Sequence, residues 1–286
     1  MTSEHASSSV ATPADGHLHF PDRDAFTPET GGYALLRGTA LQAERIVTRW
    51  VKDPATLLQS LLFPALMLLL FWLVLDRSVS AHSGSSSVFG MVPMLALVGA
   101  MSGASISGVG LRRERTSGLL SKMWTLPAHR ATAMTGRLTA EAIRIGATVT
   151  AVLLMGTVIG FRIHTGIVGY LAILGVTLMF GLSFSMMVTA LALRSRDSHI
   201  VEWVAIGTNL AMFFNTGFVP ADAYPAWLQP IVRYQPLSCA VDAIRAIADA
   251  GPLLVPLLLT AGWSAALLVA FTRPTLRGYR LAAMER

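Results

Sequence analysis

Two hydrophobic patterns alternate along this chain. The first consists of long runs without charge, such as LLQSLLFPALMLLLFWLVL over Leu57–Leu75. Each run is long enough to cross a bilayer at about 1.5 Å per residue. They predict six membrane-spanning helices near 57–75, 88–111, 139–161, 165–193, 200–219 and 250–272. Pro64 lies inside the first run, where packed neighbours can tolerate a kink. The second pattern is amphipathic. In Tyr33–Asp53, Leu36, Ala40, Ala43, Val47 and Trp50 recur at helical spacing, while Arg37, Glu44, Arg45 and Lys52 fall largely elsewhere. This predicts an N-terminal helix lying at the cytosolic membrane interface, its role either anchoring or mechanical.

The stretch GFVPADAYPAWLQPIVRYQPLS, Gly217–Ser238, fits neither pattern. It is apolar and aromatic, yet Pro220, Pro225, Pro230 and Pro236 forbid one continuous helix. Broken apolar backbone at membrane depth must pack on protein or face an aqueous cavity. The expectation is therefore a re-entrant or interfacial cap outside the membrane. Tyr224, Trp227 and Tyr234 would serve as its interface aromatics. Asp242, Arg245 and Asp249 then form a polar stripe, and Gly251–Pro252 stops the helix.

Composition agrees with an all-α polytopic membrane protein. The chain is 53% hydrophobic and 13% charged, where soluble domains average roughly 25% charged residues. Lys+Arg exceed Asp+Glu by 22 to 16, an excess that reads as loop topology and not as nucleic-acid binding. With a cytosolic N-terminus, Arg77, Arg162, Arg233 and Arg245 fall outside. The clusters at Arg37–Lys52, Arg112–Arg137, Arg194–Arg196 and Arg273–Arg286 fall inside. Both termini are thus expected in the cytosol. The polar opening predicts a disordered cytosolic tail over 1–32, with no leader peptide, ahead of one permease domain over 33–286. His17 and His19 lack further ligands nearby, so no metal site is expected. The lone Cys239 reads as a small buried hydrophobe.

No phosphate-binding loop, nucleophile elbow or zinc motif occurs, and no catalytic residue is expected. No acid falls near the predicted midplane, which disfavours an ion-coupled carrier. Glu141 and Arg144 are three apart and are expected to pair. Gly99, Gly103 and Ser107 form a small-residue ridge for close helix packing, within the chain or against a second copy. A membrane enzyme using Asp222, Asp242 or Asp249 is the remaining alternative. After the second run, LRRERTSGLLSKMWTLPAHR places Leu119, Leu120, Met123 and Trp124 on a short amphipathic stripe suited to docking.

Three of these features, in this order, carry a resemblance to the permease subunits of type-2 ABC exporters. They are RWVKDPATLLQSLLFP, the loop with Gly118 and Pro127, and the proline/aromatic segment before the last span. The chain looks most like the daunorubicin-resistance branch, which includes actinobacterial exporters of drugs and complex envelope lipids. The resemblance implies a multi-pass subunit of the bacterial plasma membrane that exports a hydrophobic or amphiphilic substrate. It implies two separate cytosolic ATPase subunits that use ATP and Mg, with no cofactor on this chain. It also implies a second permease, a different chain or a second copy, in contact with membrane lipids. Arg113, Glu114, Arg115, Gly118, Leu119 and Pro127 would belong to the ATPase-coupling segment. Leu119, Leu120 and Ser121 stand where many relatives carry an acidic residue. Pro220, Tyr224, Pro225, Trp227 and Pro236 would close the outer end. Phe213, Phe214, Asn215 and Phe218 are candidates to line the pathway, or else pack the cap onto the bundle.

Overall fold

The computed structural model describes residues 31–83, 88–124, 129, 131–194 and 199–284. The tail expected over 1–32 falls almost wholly outside them, as does Pro127 of the expected coupling segment. The described residues form helices and connecting turns, with no strand among them. Eleven α-helices follow one another: α1 (Gly32–Lys52), α2 (Pro54–Leu57), α3 (Phe63–Ser83), α4 (Val88–Thr116), α5 (Leu119–Trp124), α6 (Thr132–Val158), α7 (Gly166–Arg194), α8 (His199–Phe213), α9 (Gln229–Tyr234), α10 (Pro236–Ala248) and α11 (Leu254–Met284). A π turn, Leu58–Leu62, joins α2 to α3.

Among the described residues, five helical stretches are long and apolar enough to cross a membrane: Pro54–Val74, Val88–Thr116, Thr132–Val158, Gly166–Arg194 and Leu254–Ala282. The fifth expected run, 200–219, behaves differently. α8 ends at Phe213 and not near 219, and its 15 residues reach only about 22 Å. Asn215 is the physical reason. Its amide Nδ2 donates back to the carbonyls of Ala211 and Met212, while its Oδ1 accepts from Gly217 N at 2.6 Å. The side chain thus takes up backbone groups at the helix end that a further turn would have used.

α4 is the hub, touching α3, α6, α7, α8 and α10. Of its most apolar window, 83% is buried, against 11% for α11, which packs on α7, α10 and α5. The core runs along α4 through Met91, Met94, Leu95 and Leu97, meeting Ile145, Phe180 and Ile244. The small-residue ridge packs inside the chain. A Cβ on Gly99 would meet Thr148 at 2.8 Å, and one on Gly103 would meet the Arg144 guanidinium at 1.6 Å.

Proline in the first span has an identifiable compensation. Pro64 has no N–H for the carbonyl of Ser60, four residues earlier. The π turn opens the helix there, and the Thr148 hydroxyl on α6 donates to Ser60 O at 2.9 Å.

Candidate functional site

Two clusters of polar groups, one at each end of the bundle, contain most of the residues singled out above. The first joins α1, α4 and α6. α1 lies along α6 because small groups permit it. Gly38 faces Thr132, Gly136 faces Gln42, and the hydroxyls of Thr39 and Thr135 meet at 2.7 Å. Ala43 and Ile46 bury against Ala140. Leu36 and Val51 stay open, 71% and 60% exposed. The face that packs on protein is therefore rotated from the apolar face seen in the sequence: it keeps Ala43, Val47 and Trp50 but leaves out Leu36 and Ala40.

That rotation aims arginines inward. Glu114, on the last turns of α4, is only 7% exposed. Its Oε2 accepts from Arg137 Nη2 of α6 at 2.8 Å, and its Oε1 accepts from Arg45 and Arg49 of α1 at 3.4 Å each. Arg137 Nη1 also donates to the hydroxyl and carbonyl of Ser107, at 2.9 and 3.1 Å. One carboxylate thus clasps three helices. Arg45, which the sequence places off the apolar face of α1, reaches Glu114 while staying 40% exposed. At the α1–α2 joint, Asp53 caps α2, accepting from Ala55 N at 3.2 Å and from the Thr56 hydroxyl at 2.5 Å. The Thr56 hydrogen bond holds its carboxyl below the ordinary value of 3.8.

The remaining coupling candidates extend this cluster. Arg115 donates to Leu193 O at the end of α7. Gly118 adopts φ +70°, a left-handed turn between α4 and α5, and its carbonyl accepts from Ser121 Oγ at 2.8 Å. α5 is the short helix expected after that glycine. Leu120 is buried and α5 rests on α4 and α11, while Leu119 is half-buried. Arg113 is exposed.

One helical turn deeper, Glu141 and Arg144 pair as expected. Glu141 Oε2 accepts from Arg144 Nε at 3.0 Å and from Nη2 at 2.7 Å, and Nη2 also donates to Ala100 O at 3.1 Å. Both side chains are buried, in the space that Gly103 leaves open.

The opposite end holds the segment after α8. Gly217 O sits so close to Gly90 of α4 that a Cβ there would lie 2.0 Å away. Thr216 ties this loop to α10. Its hydroxyl donates to Asp242 at 2.8 Å, its N–H to the Ser238 hydroxyl at 3.2 Å, and its carbonyl accepts from Arg245 at 3.0 Å. The Gln235 amide donates to Phe214 O. The Tyr224 hydroxyl donates to Asn215 O at 3.2 Å, and burial raises its pKa above the usual phenol value. Pro220 and Pro225 accept backbone turns, Trp227 is exposed, and Pro236 opens α10 at its first position. The four candidate lining residues are not brought together. Asn215 is buried as the α8 terminator, Phe213 and Phe214 are exposed, and Phe218 stacks edge-on against Phe71 at 5.2 Å. The sequence missed Thr216, whose three bonds reach residues 22 to 29 positions away.

Among the described residues, no group of three or more His, Cys, Asp or Glu side chains is arranged to hold a metal ion.

Comparison with known proteins identifies the framework. Residues 39–248 match the ABC-2 type transporter family model. The chain is 36% identical over 245 residues to the probable doxorubicin resistance ABC transporter permease protein DrrC of Mycobacterium tuberculosis, covering 86% of this chain and 89% of that protein. The same similarity holds for the DrrC sequence of a second strain. The chain is also 25% identical to the daunorubicin resistance ABC transporter permease protein DrrB1 of Streptomyces coeruleorubidus, over 98% of both chains. The chain belongs to the ABC-2 type transporter family, whose members are the transmembrane subunits of ABC transporters, with ATP hydrolysis in a separate subunit.

Proposed function

We propose that this family member forms the membrane half of an exporter carrying a hydrophobic or amphiphilic substrate, a drug or a complex envelope lipid, out of a bacterial cell. The names of its relatives support a drug. An envelope lipid needs the same apolar path. Two cytosolic ATPases and a second permease, a different chain or a second copy, complete the assembly. The clasp on Glu114 carries this reading, because a device that transmits force must keep the coupling turn connected to the membrane helices as they move. Motion at Gly118 and α5 would pass through Glu114 into α1 and α6.

In this reading both termini are cytosolic, and the Glu114 end faces the ATPases. α1 lies along the inner membrane surface with Leu36 and Val51 toward lipid. α8 is a short fifth crossing, and α9–α10 re-enter from outside. Support for re-entry comes from Trp263, whose Nε1 donates to Tyr234 O at 2.9 Å. Trp263 lies nine residues into α11, roughly 13 Å below its start. α10 then climbs back to Ala248, whose carbonyl accepts from His164 N at 3.0 Å beyond α6. The polar network around Thr216 would be the closed outer gate.

The test is copurification with a soluble ATPase, followed by transport into inverted vesicles. Vanadate-sensitive export that survives an uncoupler is expected. Export abolished by the uncoupler at constant ATP would point to an ion-coupled carrier. Single-cysteine labelling checks the topology. The native Cys239 is buried and gives a quiet background. Ala223→Cys and Ser121→Cys should react from opposite sides, and reaction from one side would refute six spans.

A further inference from the structure

The clasp leaves a cavity of about 430 Å³ between α1, the α2–α3 joint and α4, with Arg137 of α6 at its back. Charged and apolar side chains both line it. Arg45, Arg49, Arg113 and Arg137 face Glu114 and Asp53, four cations against two anions, a surplus of +2. Both carboxylates already have partners. Glu114 Oε2 is taken by Arg137 at 2.8 Å, and Oε1 is shared by two arginines at 3.4 Å. Asp53 is turned away onto the start of α2. Arg45 and Arg49 remain 40% and 61% exposed, held by long contacts only. The lining also includes the apolar Ile46 and Trp50 of α1 and Ile106 and Val109 of α4. Gly110 keeps the wall open, for a Cβ there would meet nothing within 4 Å.

We propose that this cavity binds the phosphate-bearing headgroup of an anionic phospholipid, which bridges α1 to α4. Arginine guanidinium pairs bind phosphate oxygens through charge-assisted hydrogen bonds. The volume suits a headgroup with its glycerol, and the apolar side chains suit the first acyl carbons. Trp50 is the interfacial aromatic. A cationic amphiphile would meet the surplus positive charge, and a neutral one would leave it unused. The lipid acts here as a ligand of the clasp and not as cargo. The inference rests on α1 lying at the membrane surface, and it is independent of what the exporter carries.

The test measures lipid retained by the purified full-length chain in detergent, read by native mass spectrometry and thermal unfolding. Phosphatidylglycerol and phosphatidylcholine are supplied in separate mixed micelles, and inorganic phosphate alone in a third arm. Phosphatidylglycerol should be retained and should raise the unfolding temperature, while phosphatidylcholine should do neither. Arg113→Gln should weaken retention roughly tenfold, about the loss of one charge-assisted contact. Gly110→Leu fills the cavity without touching an ion pair and should lose the lipid to the same extent. Arg277→Gln, on the exposed side of α11, should retain it fully. Equal retention of both lipids, or equal loss from Arg277→Gln, would overturn the proposal. Stabilisation by inorganic phosphate equal to that by phosphatidylglycerol would overturn the lipid assignment. Should Gly110→Leu not fold, Arg113→Gln decides alone. None of these readings involves transport, so a failed export assay leaves them intact.

Discussion

The two ends of the bundle are held by different chemistry. At one end a single carboxylate, Glu114, gathers three guanidinium groups, and only Arg137 is both short and buried. At the other, the Asn215 and Gln235 amides donate to backbone carbonyls, and Thr216 makes directional bonds to Ser238, Asp242 and Arg245 of α10. Charge attraction falls slowly with distance and tolerates sliding. Hydrogen bonds weaken steeply once angle or length is lost. A joint that must transmit movement while staying connected suits the first, and a latch with two discrete states suits the second. In the proposed mechanism, α1 and α4 can shift by an ångström and keep their attraction, whereas the Thr216 contacts break together.

The largest effects should come from the ion pairs that are fully enclosed. Arg137→Met leaves Glu114 buried with its best partner gone and should cost about 3–5 kcal/mol. Arg49→Gln removes a half-exposed contact at 3.4 Å and should cost less than about 1 kcal/mol. Thermal unfolding of the two variants side by side checks the contrast. If Arg49→Gln is as damaging as Arg137→Met, the clasp is not graded as described. Raising the salt should narrow the Arg49 effect and leave that of Arg137 nearly unchanged.

The outer latch should give the next largest effect. Asn215→Ala removes the α8 terminator and leaves the buried Gly217 N–H without its acceptor, at about 1–3 kcal/mol. Because the bond closes α8 locally, the loss should appear first as faster hydrogen exchange over 211–219 and only then as a lower unfolding temperature. Exchange unchanged in that window would remove Asn215 from the latch. Thr148→Val on α6 should cost a comparable amount through the orphaned Ser60 carbonyl, with exchange rising around the π turn instead.

What the sequence disclosed follows the same division. Uncharged runs and three-residue spacing are local signals, so the long helices, the short helix after Gly118 and the Glu141–Arg144 pair were legible. The partners of Glu114 lie 69, 65 and 23 residues away, and nothing at Glu114 itself names them. The end of α8 was misplaced because hydropathy continues through Phe218 while a side-chain amide stops the helix at Phe213. Hydrophobic patterning says which residues leave water. It does not say which polar group takes over a backbone bond. The cavity beside Gly110 was invisible for a related reason, since its walls come from four separate segments.

The smallest expected effect separates the joint from the clasp it adjoins. Asp53 is bound by Thr56 and the Ala55 N–H, which prefer the carboxylate. Its folded-state pKa is therefore depressed, so its contribution is present above the ordinary value of 3.8 and is lost as pH falls through the folded value. Asp53→Asn keeps a cap of nearly the same shape but carries no charge to titrate. Between neutral pH and pH 5 the two proteins should unfold at nearly the same temperature. Below the ordinary carboxylate range the native chain should lose stability more steeply than Asp53→Asn, and only slightly, because the group is open to water. A slope unchanged by the substitution would remove Asp53 from the acid response. In that case α1 would be coupled to the first span through the clasp alone, with no share for the joint.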